Sequence, residues 1–387
     1  MININKKTAM NKFKFSDIAT ISTQKKKPTD EDKFHYIGLE HIDSKSLKVT
    51  RYGADVAPKG EKLVMKKGDV LFGKRRAYQK KVAIAPFDGI FSAHGMILRP
   101  NEKVISRELF PFFISSDAFL DKAIKISVGS LSPTINNSDI KKLEFELPDI
   151  REQEKYSNAL FAINDTKEAY INLIGNLDKI QKSRFIELFG DPRLNNKKLP
   201  IKKIKDFAKC IAGATPSTAE SSYWDNGTIP WMSSGEVNQG RIYSTEKKIT
   251  QKGYDNASTK LIPPHTVVIA MAGQGKTRGT VGVAEIELCT NQSICSVVTD
   301  DTVDVDYLYY FLKLQYEALR GASNGAAGRG GLNLKIIGDF PVIVPDLNLQ
   351  KSFVKCVNQI DKSKFNLKCA ITELDNLSDK IKSEIFS

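Results

Sequence analysis

The sequence is poor in the residues from which metal centres and catalytic sites are built. Its 387 residues include five cysteines and four histidines. The cysteines form no Cys-x-x-Cys pair and the histidines have no metal-ligand spacing, which excludes a zinc ribbon, a disulfide framework and a recognisable Ser/His/Asp arrangement. An odd set of cysteines without paired spacing indicates free thiols that act as small apolar side chains in a reducing cytosol. They are Cys210, Cys289, Cys295, Cys356 and Cys369, and the histidines are His35, His41, His94 and His265.

Long hydrophobic runs are also missing. No segment approaches the roughly 18 consecutive apolar residues of a membrane span, and residues 1–11 are polar and basic without the apolar core of a secretory signal. The sequence has no Asn-Pro-Pro-aromatic or Asp-Pro-Pro-aromatic tetrapeptide, which an amino-methylating enzyme needs to hold its target base. We therefore expect a soluble, cytoplasmic chain that lacks an active site and binds no metal or cofactor of its own.

What the sequence does contain is a long segment that occurs twice. Leu-Pro-Asp-Ile at 147–150, with Gln153, returns 197 residues later as Val-Pro-Asp-Leu at 344–347, with Gln350. Each copy opens about 40 residues without proline before the helix ends, as expected of a long helix. Two such segments in one register indicate an internal duplication.

Both copies carry the same heptad stripe. Apolar residues recur at steps of four and three, as in helices that pack along one face. Polar residues interrupt the stripe at equivalent places, with Lys167 matching Lys364 and Gln181 matching Ser378. The residues predicted to pack between helices are Tyr156, Leu160, Ile163, Tyr170, Ile174, Leu177 and Leu188 in the first copy and Phe353, Val357, Ile360, Leu367, Ile371, Leu374, Ile381 and Ile385 in the second.

Charge is distributed unevenly over this layout. The formal net charge is +13. Residues 1–147 hold 27 Lys and Arg against 17 Asp and Glu, and residues 191–345 hold 18 against 15, whereas the helical segments 148–190 and 346–387 are close to neutral. A basic globular part favours a polyanionic partner, while the neutral helices favour protein. A generally basic protein with no such partner is the alternative.

Before each helix the sequence changes to short β-rich runs separated by Gly and Pro. Each part then has one predicted helix, at 107–125 and 305–320. The order of elements is therefore the same in both halves. The predicted strands are 63–65, 69–72, 82–85 and 96–98 in the first half and 229–232, 266–270, 281–284 and 296–298 in the second.

Loops between these strands hold the candidate nucleic-acid contacts. Residues 74–81 contain five positive charges and a tyrosine, a composition suited to phosphate contact and groove insertion, and arginine or glutamine there could read bases. A solvated hairpin tip without a ligand is the alternative. In the second half, the aromatics at 223–231 could form a binding platform or a core tryptophan above a turn, and the glycine-rich segment 321–331 could order on a duplex or serve as a connector.

The residues predicted to contact DNA share hydrogen-bonding, cationic or stacking side chains on these loops. They are Lys74, Arg75, Arg76, Tyr78, Gln79, Lys80, Thr215, Ser217, Tyr223, Trp224, Ser233, Gln274, Lys276, Arg278, Asn324 and Arg329.

Two motifs imitate catalytic sites. Residues 270–277 follow a predicted strand and fit a relaxed phosphate loop, but a true one must open a helix, whereas glycines and β-branched residues follow here. Asp149 with Asp165 and Lys167 has the spacing of a metal-dependent nuclease, yet Lys167 belongs to the heptad stripe and Lys364, its equivalent, has no matching acid. Neither motif is predicted to be catalytic.

Together these motifs resemble the specificity (S) subunit of a Type I restriction-modification system. The resemblance covers nearly the whole chain, although the first half lacks the Gly-x-Thr-Pro and Tyr-Trp signatures and has Gln-Lys-Lys-Lys-Pro at 24–28 instead. The motifs that carry it are Gly-Ala-Thr-Pro-Ser at 213–217 with Tyr223-Trp224 and Ile-Pro-Trp at 229–231, Asn291-Gln292 after a strand, Pro-x-x-x-x-Gln at 148–153 and 345–350, and the segment 182–192 that closes the first helix.

The resemblance implies an α+β fold with two mixed α/β target-recognition domains, joined by two long antiparallel helices in a pseudo-twofold arrangement. Its domains would be target-recognition domain 1 (1–147), spacer helix 1 (148–190), target-recognition domain 2 (191–345) and spacer helix 2 (346–387). The implied partners are double-stranded DNA, two methylation subunits that bind S-adenosylmethionine, and motor and nuclease subunits that can join them. Such a chain would be a noncatalytic DNA reader.

Two alternatives remain open from the residues alone. A coiled-coil scaffold that binds only protein would explain the helices but not the basic first part. A stand-alone nucleotide hydrolase would use Lys276, and substitution of Lys276 by alanine would then abolish turnover.

Overall fold

The computed structural model describes residues 10–273, 276–322 and 331–386. The chain divides into two compact units. Unit 1 is the chain up to Asn172 together with the segment from Leu367 onward, and unit 2 is Leu173–Asn366. Each long helix therefore contributes one segment to each unit.

Over its described residues, unit 1 contains ten strands, and the first long helix starts in it. The strands are β1 Met10–Lys14, β2 Ala19–Ile21, β3 Lys25–Lys26, β4 Tyr36–Ile37, β5 Lys62–Met65, β6 Val70–Phe72, β7 Val82–Ile84, β8 Gly89–Phe91, β9 Met96–Pro100 and β10 Glu144–Pro148. The α-helices are α1 Phe15–Ile18, α2 Phe110–Ile114, α3 Asp117–Lys125, α4 Asn137–Ile140 and α5 Ile150–Phe189, and the 3₁₀ turns are Glu31–His35, Leu39–His41 and Ala77–Gln79.

Unit 2 contains the other described strands, and the second long helix starts in it. The strands are β11 Ile201–Lys203, β12 Ala208–Ala212, β13 Ile229–Met232, β14 Arg241–Ile242, β15 Lys247–Ile249, β16 Leu261–Ile262, β17 Thr266–Ala270, β18 Val281–Ala284, β19 Leu288–Thr290, β20 Ile294–Thr299 and β21 Pro341–Ile343. The α-helices are α6 Gln251–Asp255, α7 Val305–Leu314, α8 Tyr316–Gly321, α9 Leu334–Gly338 and α10 Leu347–Ile385, and the 3₁₀ turns are Ile204–Asp206, Ser221–Tyr223 and Ser234–Gln239.

The two units share the central strands of two sheets and differ at the sheet edges. Unit 1 has an antiparallel sheet in the order β2-β9-β6-β7, and unit 2 has its counterpart, β12-β20-β17-β18, extended by β14. In the second sheet, β5-β8-β4 of unit 1 matches β16-β19-β13 of unit 2; β3 adds an edge beside β5 in unit 1 only, and β15 adds an edge beside β13 in unit 2 only. The pairs β4–β8, β13–β19 and β14–β18 are parallel. Short antiparallel ribbons, β1–β10 and β11–β21, precede the long helices. This confirms the α+β class and the common order of elements.

The prediction of a single helix over 107–125 and over 305–320 is wrong. In each unit two shorter helices occupy this segment. In unit 1 the helix starts at Phe110, with Pro111 in its first turn, and ends at Ile114; Ser116 then caps α3 by accepting a hydrogen bond from the Phe119 amide at 3.3 Å. Serine competes for backbone hydrogen bonds and so favours a helix start over a helix interior. In unit 2 the break falls at Gln315, whose amide Nε2 donates to the Pro192 carbonyl at 2.7 Å.

The apolar stripes of the two long helices enter the cores of both units. In unit 1, Leu160 of α5 shares one buried cluster with Ile381 and Ile385 of α10. In unit 2, Phe353 and Val357 of α10 share a cluster with residues near the end of α5. Within each unit the start of one helix thus lies beside the end of the other, so the two segments run antiparallel.

None of the fifteen residues predicted to pack between helices is exposed. The sequence missed two others, Phe185 and Phe189, which are fully buried and whose rings lie 5.5 and 5.4 Å from the ring of Phe353. Here the buried face lies one residue beyond the predicted Leu188, which is half-buried. A straight helix with 3.6 residues per turn drifts from a strict heptad count, so the stripe shifts along its length.

The repeated glutamine has a structural explanation. Gln153 is fully buried; its Oε1 accepts the Ser106 amide at 2.7 Å and its Nε2 donates to the carbonyls of Val104 and Pro148, both at 2.9 Å. These bonds fasten the loop before α2 to the start of α5. A buried amide that satisfies three backbone groups is difficult to replace.

Gln350 repeats the arrangement in unit 2. Its Oε1 accepts the Asp304 amide at 2.9 Å, and its Nε2 donates to the carbonyls of Thr302 and Pro345 at 3.2 and 2.8 Å. The motif that identifies the duplication therefore fixes each long helix to its own globular part.

Candidate nucleic-acid interface

The predicted DNA-contacting residues of the first half lie in a cluster of three loops. These loops are residues 73–81 between β6 and β7, residues 92–95 between β8 and β9, and residues 127–136 between α3 and α4. We call them the loop cluster of unit 1. The Ile135 amide donates to the Lys74 carbonyl at 3.1 Å, which joins the first and third loops.

Arg75 links all three loops. Its amide donates to the His94 carbonyl at 3.1 Å and its Nη1 lies 3.2 Å from His94 Nε2. Its Nε donates to Ser132 Oγ at 2.8 Å. A guanidinium held on two sides has a fixed orientation, so Arg75 positions the cluster more than it offers a free side chain to a ligand.

The basic loop turns sharply at two places. Arg76 and Lys80 adopt left-handed conformations, with φ of 55° and 51°, on either side of the short 3₁₀ turn Ala77–Gln79. Ala77 is buried and anchors the turn, whereas Tyr78 is 53% exposed. Arg76 and Tyr78 are the exposed members of the predicted set in this loop.

Two of the three lysines of this loop already have protein partners. Lys80 Nζ lies 2.6 Å from Asp117 and 3.7 Å from Asp121, and the hydrogen bond to Asp117 raises the pKa of Lys80. Lys81 donates to the Leu39 carbonyl at 2.6 Å. Burial lowers the pKa of Lys74, aided by the nearby positive charge of Lys25. These contacts reduce the charge that the loop presents outward.

His94 is a candidate that sequence reasoning missed. It is exposed and touches Arg75. Partial burial lowers the pKa of His94, and the charges of Arg75, Lys62 and Lys74 act in the same direction. The signal was present, since subtracting 197 from Asn291, the first residue of the Asn-Gln motif, gives position 94.

Unit 2 has an equivalent loop cluster in residues 271–280, 291–293 and 331–333, of which 274–275 lie outside the described residues. The Met271 amide donates to the Ser293 carbonyl at 2.8 Å, and the Leu332 amide donates to the Met271 carbonyl at 3.1 Å. Met271 and Leu332 are offset by 197 from Lys74 and Ile135. The same backbone bond thus joins equivalent loops in both units, although the side chains differ.

Of the predicted polar residues on other loops of unit 2, Thr215 bonds to this loop cluster, whereas Ser217 and Ser233 have partners elsewhere. Thr215 Oγ1 donates to Gln292 Oε1, which connects the Gly-Ala-Thr-Pro segment to the loop after β19. The indole NH of Trp224 donates a hydrogen bond to the backbone carbonyl of Ser217 at 3.0 Å. At the start of a 3₁₀ turn, Ser233 donates its amide at 2.7 Å and its hydroxyl at 2.9 Å to the Glu236 carboxylate. These bonds show a structural role for Ser233.

The aromatic residues form a support beneath this segment. Trp231 is buried and donates its indole NH to the Ala214 carbonyl at 3.0 Å. The Trp224 ring meets it edge-on, 5.1 Å away, and is half-buried like Tyr223. Trp231 therefore matches the core-tryptophan interpretation, whereas Trp224 and Tyr223 retain exposed surface, with Lys247 and Lys252 near their rings.

The phosphate-loop resemblance fails on its structural context. After Lys276 the chain forms a turn, in which the Thr280 amide donates to the Thr277 carbonyl at 2.9 Å, and then enters strand β18. A strand supplies no helix N-terminus for phosphate. Lys276 is exposed and Arg278 half-buried, while the predicted contacts Gln274, Asn324 and Arg329 lie outside the described residues.

The nuclease-like spacing also fails. Lys167 Nζ lies 2.5 Å from Asp375 of α10, and Asp149 binds the side chain of Arg151 at 2.8 Å. Across the described ranges there is no group of three or more His, Cys, Asp or Glu residues that could hold a metal ion. Over the same part of the chain, no helix is long and apolar enough to cross a membrane.

The fold is a duplicated one, with two α+β units that each contain an equivalent loop cluster and one segment of each long helix. Comparison with known proteins identifies the family. The model of the Type I restriction modification DNA specificity domain matches twice, over residues 7–174 and 196–374. The chain belongs to this family, that of the Type I specificity subunits.

Individual relatives agree. The chain is 25% identical over 162 residues to the EcoR124I/EcoR124II specificity subunit of Escherichia coli, covering 41% of this chain and 40% of that one. It is 34% identical over 131 residues to the MjaIX specificity subunit of Methanocaldococcus jannaschii, covering 33% and 29%. The chain thus spans less than half the length of these relatives in the alignments.

The fold has a solved counterpart. The Type I restriction-modification S subunit from M. genitalium superposes with a TM-score of 0.61 at 15% identity, covering 100% of this chain and 98% of that one. At this identity the likeness establishes the fold.

Proposed function

We propose that the protein is the noncatalytic DNA-recognition subunit of a Type I restriction-modification complex. Each unit reads one half of a split duplex site through its loop cluster. The observation that carries the proposal is the recurrence of one loop arrangement, closed by the Lys74–Ile135 and Met271–Leu332 bonds, with different side chains in the two units. A duplicated frame with diverged loops suits the reading of two different sequences.

Charge supports DNA as the ligand. Residues 1–147 carry a net charge of +10, from 27 Lys and Arg against 17 Asp and Glu, whereas each long-helix segment is within one charge of neutral. Cationic side chains supply phosphate contacts, and exposed groups such as Arg76 and Tyr78 can enter a groove. A protein-only scaffold would leave this charge unexplained.

The long helices are the proposed docking surface for partner subunits. We propose two methylation subunits, which bind S-adenosylmethionine and methylate adenine, with motor and nuclease subunits joining in a complete restriction complex. In this proposal the cofactor is bound by the partner subunits and not by this chain. Its role is to choose the site at which the partners act.

The test is co-expression with a Type I methylation subunit from the same organism, followed by mapping of methylated adenines in genomic DNA. We expect a split motif with a fixed gap between its halves. Exchanging residues 1–147 for those of a relative should change one half of the motif and leave the other half intact. The matched control is the same exchange of residues 191–345, which should change only the opposite half.

Two outcomes contradict the proposal. Methylation without a split motif would show that the two units do not read DNA independently. Nucleotide hydrolysis by the purified chain, abolished by Lys276→Ala, would instead support the enzyme alternative.

A further inference from the structure

One short loop of unit 1 presents an apolar side chain to solvent. Residues 128–134, Val-Gly-Ser-Leu-Ser-Pro-Thr, carry no charge. Their neck is closed by two backbone hydrogen bonds between Val128 and Thr134, at 3.0 and 2.9 Å. Leu131 lies at the tip and is 92% exposed, the highest value among the large hydrophobic residues described. Val128 beside it is 66% exposed.

The tip is fastened directly to the basic loop. Ser132, the next residue, accepts hydrogen bonds on Oγ from Arg75 Nε at 2.8 Å and Arg76 Nε at 3.3 Å. The Arg76 amide also donates to the Pro133 carbonyl at 2.7 Å. Leu131 is therefore held next to two guanidinium groups, in a loop closed at its neck, and does not hang from a free chain segment.

The loop places an apolar side chain beside two positive charges, a combination that suits a partner with both apolar surface and negative charge. Full burial of a leucine side chain is worth about 1.5–3 kcal/mol, and this loop instead holds Leu131 outward. The arginines beside it indicate that the partner is an anion with apolar surface. A DNA duplex has both, since its phosphates flank apolar base faces, and apolar side chains are known to enter between base steps.

We propose that Leu131 inserts into the DNA groove and wedges against the bases of the half-site read by unit 1. In this proposal, Arg75 and Ser132 hold the loop in place, and Arg76 contacts the phosphate backbone of the DNA beside the wedge. The inference rests on the proposed function, and it adds a specificity-determining residue that carries no hydrogen-bonding group. Such a residue would read how easily a base step opens, since pyrimidine–purine steps unstack most readily.

The experiment uses the full chain and a library of randomised DNA duplexes, from which bound sequences are selected and read. Wild type, Leu131→Ala and Leu131→Met are compared. The control is Leu194→Ala, which removes the same side chain from a site that is 76% exposed and outside both loop clusters. We expect Leu131→Ala to bind the selected duplex about tenfold more weakly, the loss of roughly one leucine contact, while Leu131→Met and Leu194→Ala bind as wild type does.

A second readout follows the bases directly. In the selected duplex, 2-aminopurine is placed at each step of the half-site assigned to unit 1. Wild type should raise its fluorescence at one step by unstacking it, and Leu131→Ala should abolish that rise. Thermal unfolding of Leu131→Ala should match wild type, because the side chain makes little contact in the folded chain.

The outcomes separate the inference from the proposed function. If wild type selects a split sequence and Leu131→Ala binds it as tightly as Leu194→Ala does, the wedge is wrong and the recognition function stands. Equal losses in both alanine variants would also overturn the wedge, since they would show a general effect of surface leucines. If wild type enriches no sequence, both proposals fall together.

Discussion

Lys167 and Asp375 form an ion pair between the two long helices inside unit 1, with Nζ and Oδ1 2.5 Å apart. Lys364 and Asp178 form the same pair inside unit 2, at 2.6 Å. Both relations follow the offset of 197, which takes Lys167 to Lys364 and Asp178 to Asp375. Each helix therefore supplies the lysine in one unit and the aspartate in the other.

These lysines sit where the stripe would otherwise be apolar. Their side chains are 14% and 12% exposed, so a shifted helix register would leave a cation half-buried without its aspartate. Polar residues in a helix seam set register at some expense of stability. We infer that the pairs specify the antiparallel register of the helix segments within each unit.

Removing one partner should therefore destabilise unit 1. Asp375→Ala leaves Lys167 with the Lys45 carbonyl, at 3.1 Å, as its remaining bond. We expect a loss of about 1–3 kcal/mol in the free energy of unfolding, below the value for a fully buried pair because both groups keep some solvent. Chemical denaturation measures it. Glu373→Ala, exposed on the same helix, is the control, and an equal effect there would contradict the register role.

The buried glutamines predict a larger loss. Gln153→Leu leaves the Ser106 amide and two carbonyls without their partner, and an unsatisfied buried backbone group costs about 1–3 kcal/mol. We expect the free energy of unfolding to fall by at least 2 kcal/mol on this scale, with faster amide hydrogen exchange at Ser106. Gln359→Leu, exposed on α10, serves as the comparison. Unchanged exchange at Ser106 would show that the glutamine does not fasten the loop.

Much of the frame could be predicted because its causes are local and repeated. The heptad stripe, the proline that precedes each helix and the β-rich runs between glycines are periodic signals, and the duplication supplied a second copy of each. The repeated Gln153 was visible as a motif, but its reason was not. Its partners Val104 and Ser106 lie almost fifty positions away in the sequence, and sequence periodicity carries no information on such contacts.

The candidate site was the less predictable part for the same reason. The basic loop was evident from composition, yet which of its cations face outward depends on partners elsewhere. Arg75 is held by Ser132, 57 positions away, and Lys80 by Asp117, 37 positions away. Composition treated the five cations alike, whereas tertiary contacts leave Arg76 as the exposed one.

The environment of His94 predicts a pH effect. Its pKa is lowered, mainly by partial burial and then by Arg75, so the folded protein binds a proton at this ring more weakly than the unfolded chain does. The stabilising contribution is therefore complete above the usual histidine pKa of about 6.5 and is lost as the pH falls through the lower folded value. An NMR titration of the His94 ring should give a midpoint below that of a histidine peptide.

Arg75→Ala should move that midpoint upward, because it removes a neighbouring positive charge. Lys33→Ala, outside the loop cluster, is the control and should leave the His94 midpoint in place. A midpoint at or above the peptide value in the wild type would contradict the described environment of the ring.

The two neighbouring arginines should give different phenotypes. Arg76 is exposed and its side-chain bond to Ser132 is long at 3.3 Å. Arg76→Ala should therefore weaken DNA binding across sequences and reduce the slope of log affinity against log salt by about 1, with only a small change in the unfolding temperature. Arg75 joins three loops, so Arg75→Ala should weaken binding, lower the unfolding temperature and speed amide exchange at Ile135. Fluorescence anisotropy over a salt series, with Lys362→Ala on α10 as the control, measures the first effect. If both arginine variants changed only the salt slope, Arg75 would be a plain phosphate contact, and the loop cluster would not depend on it for its shape.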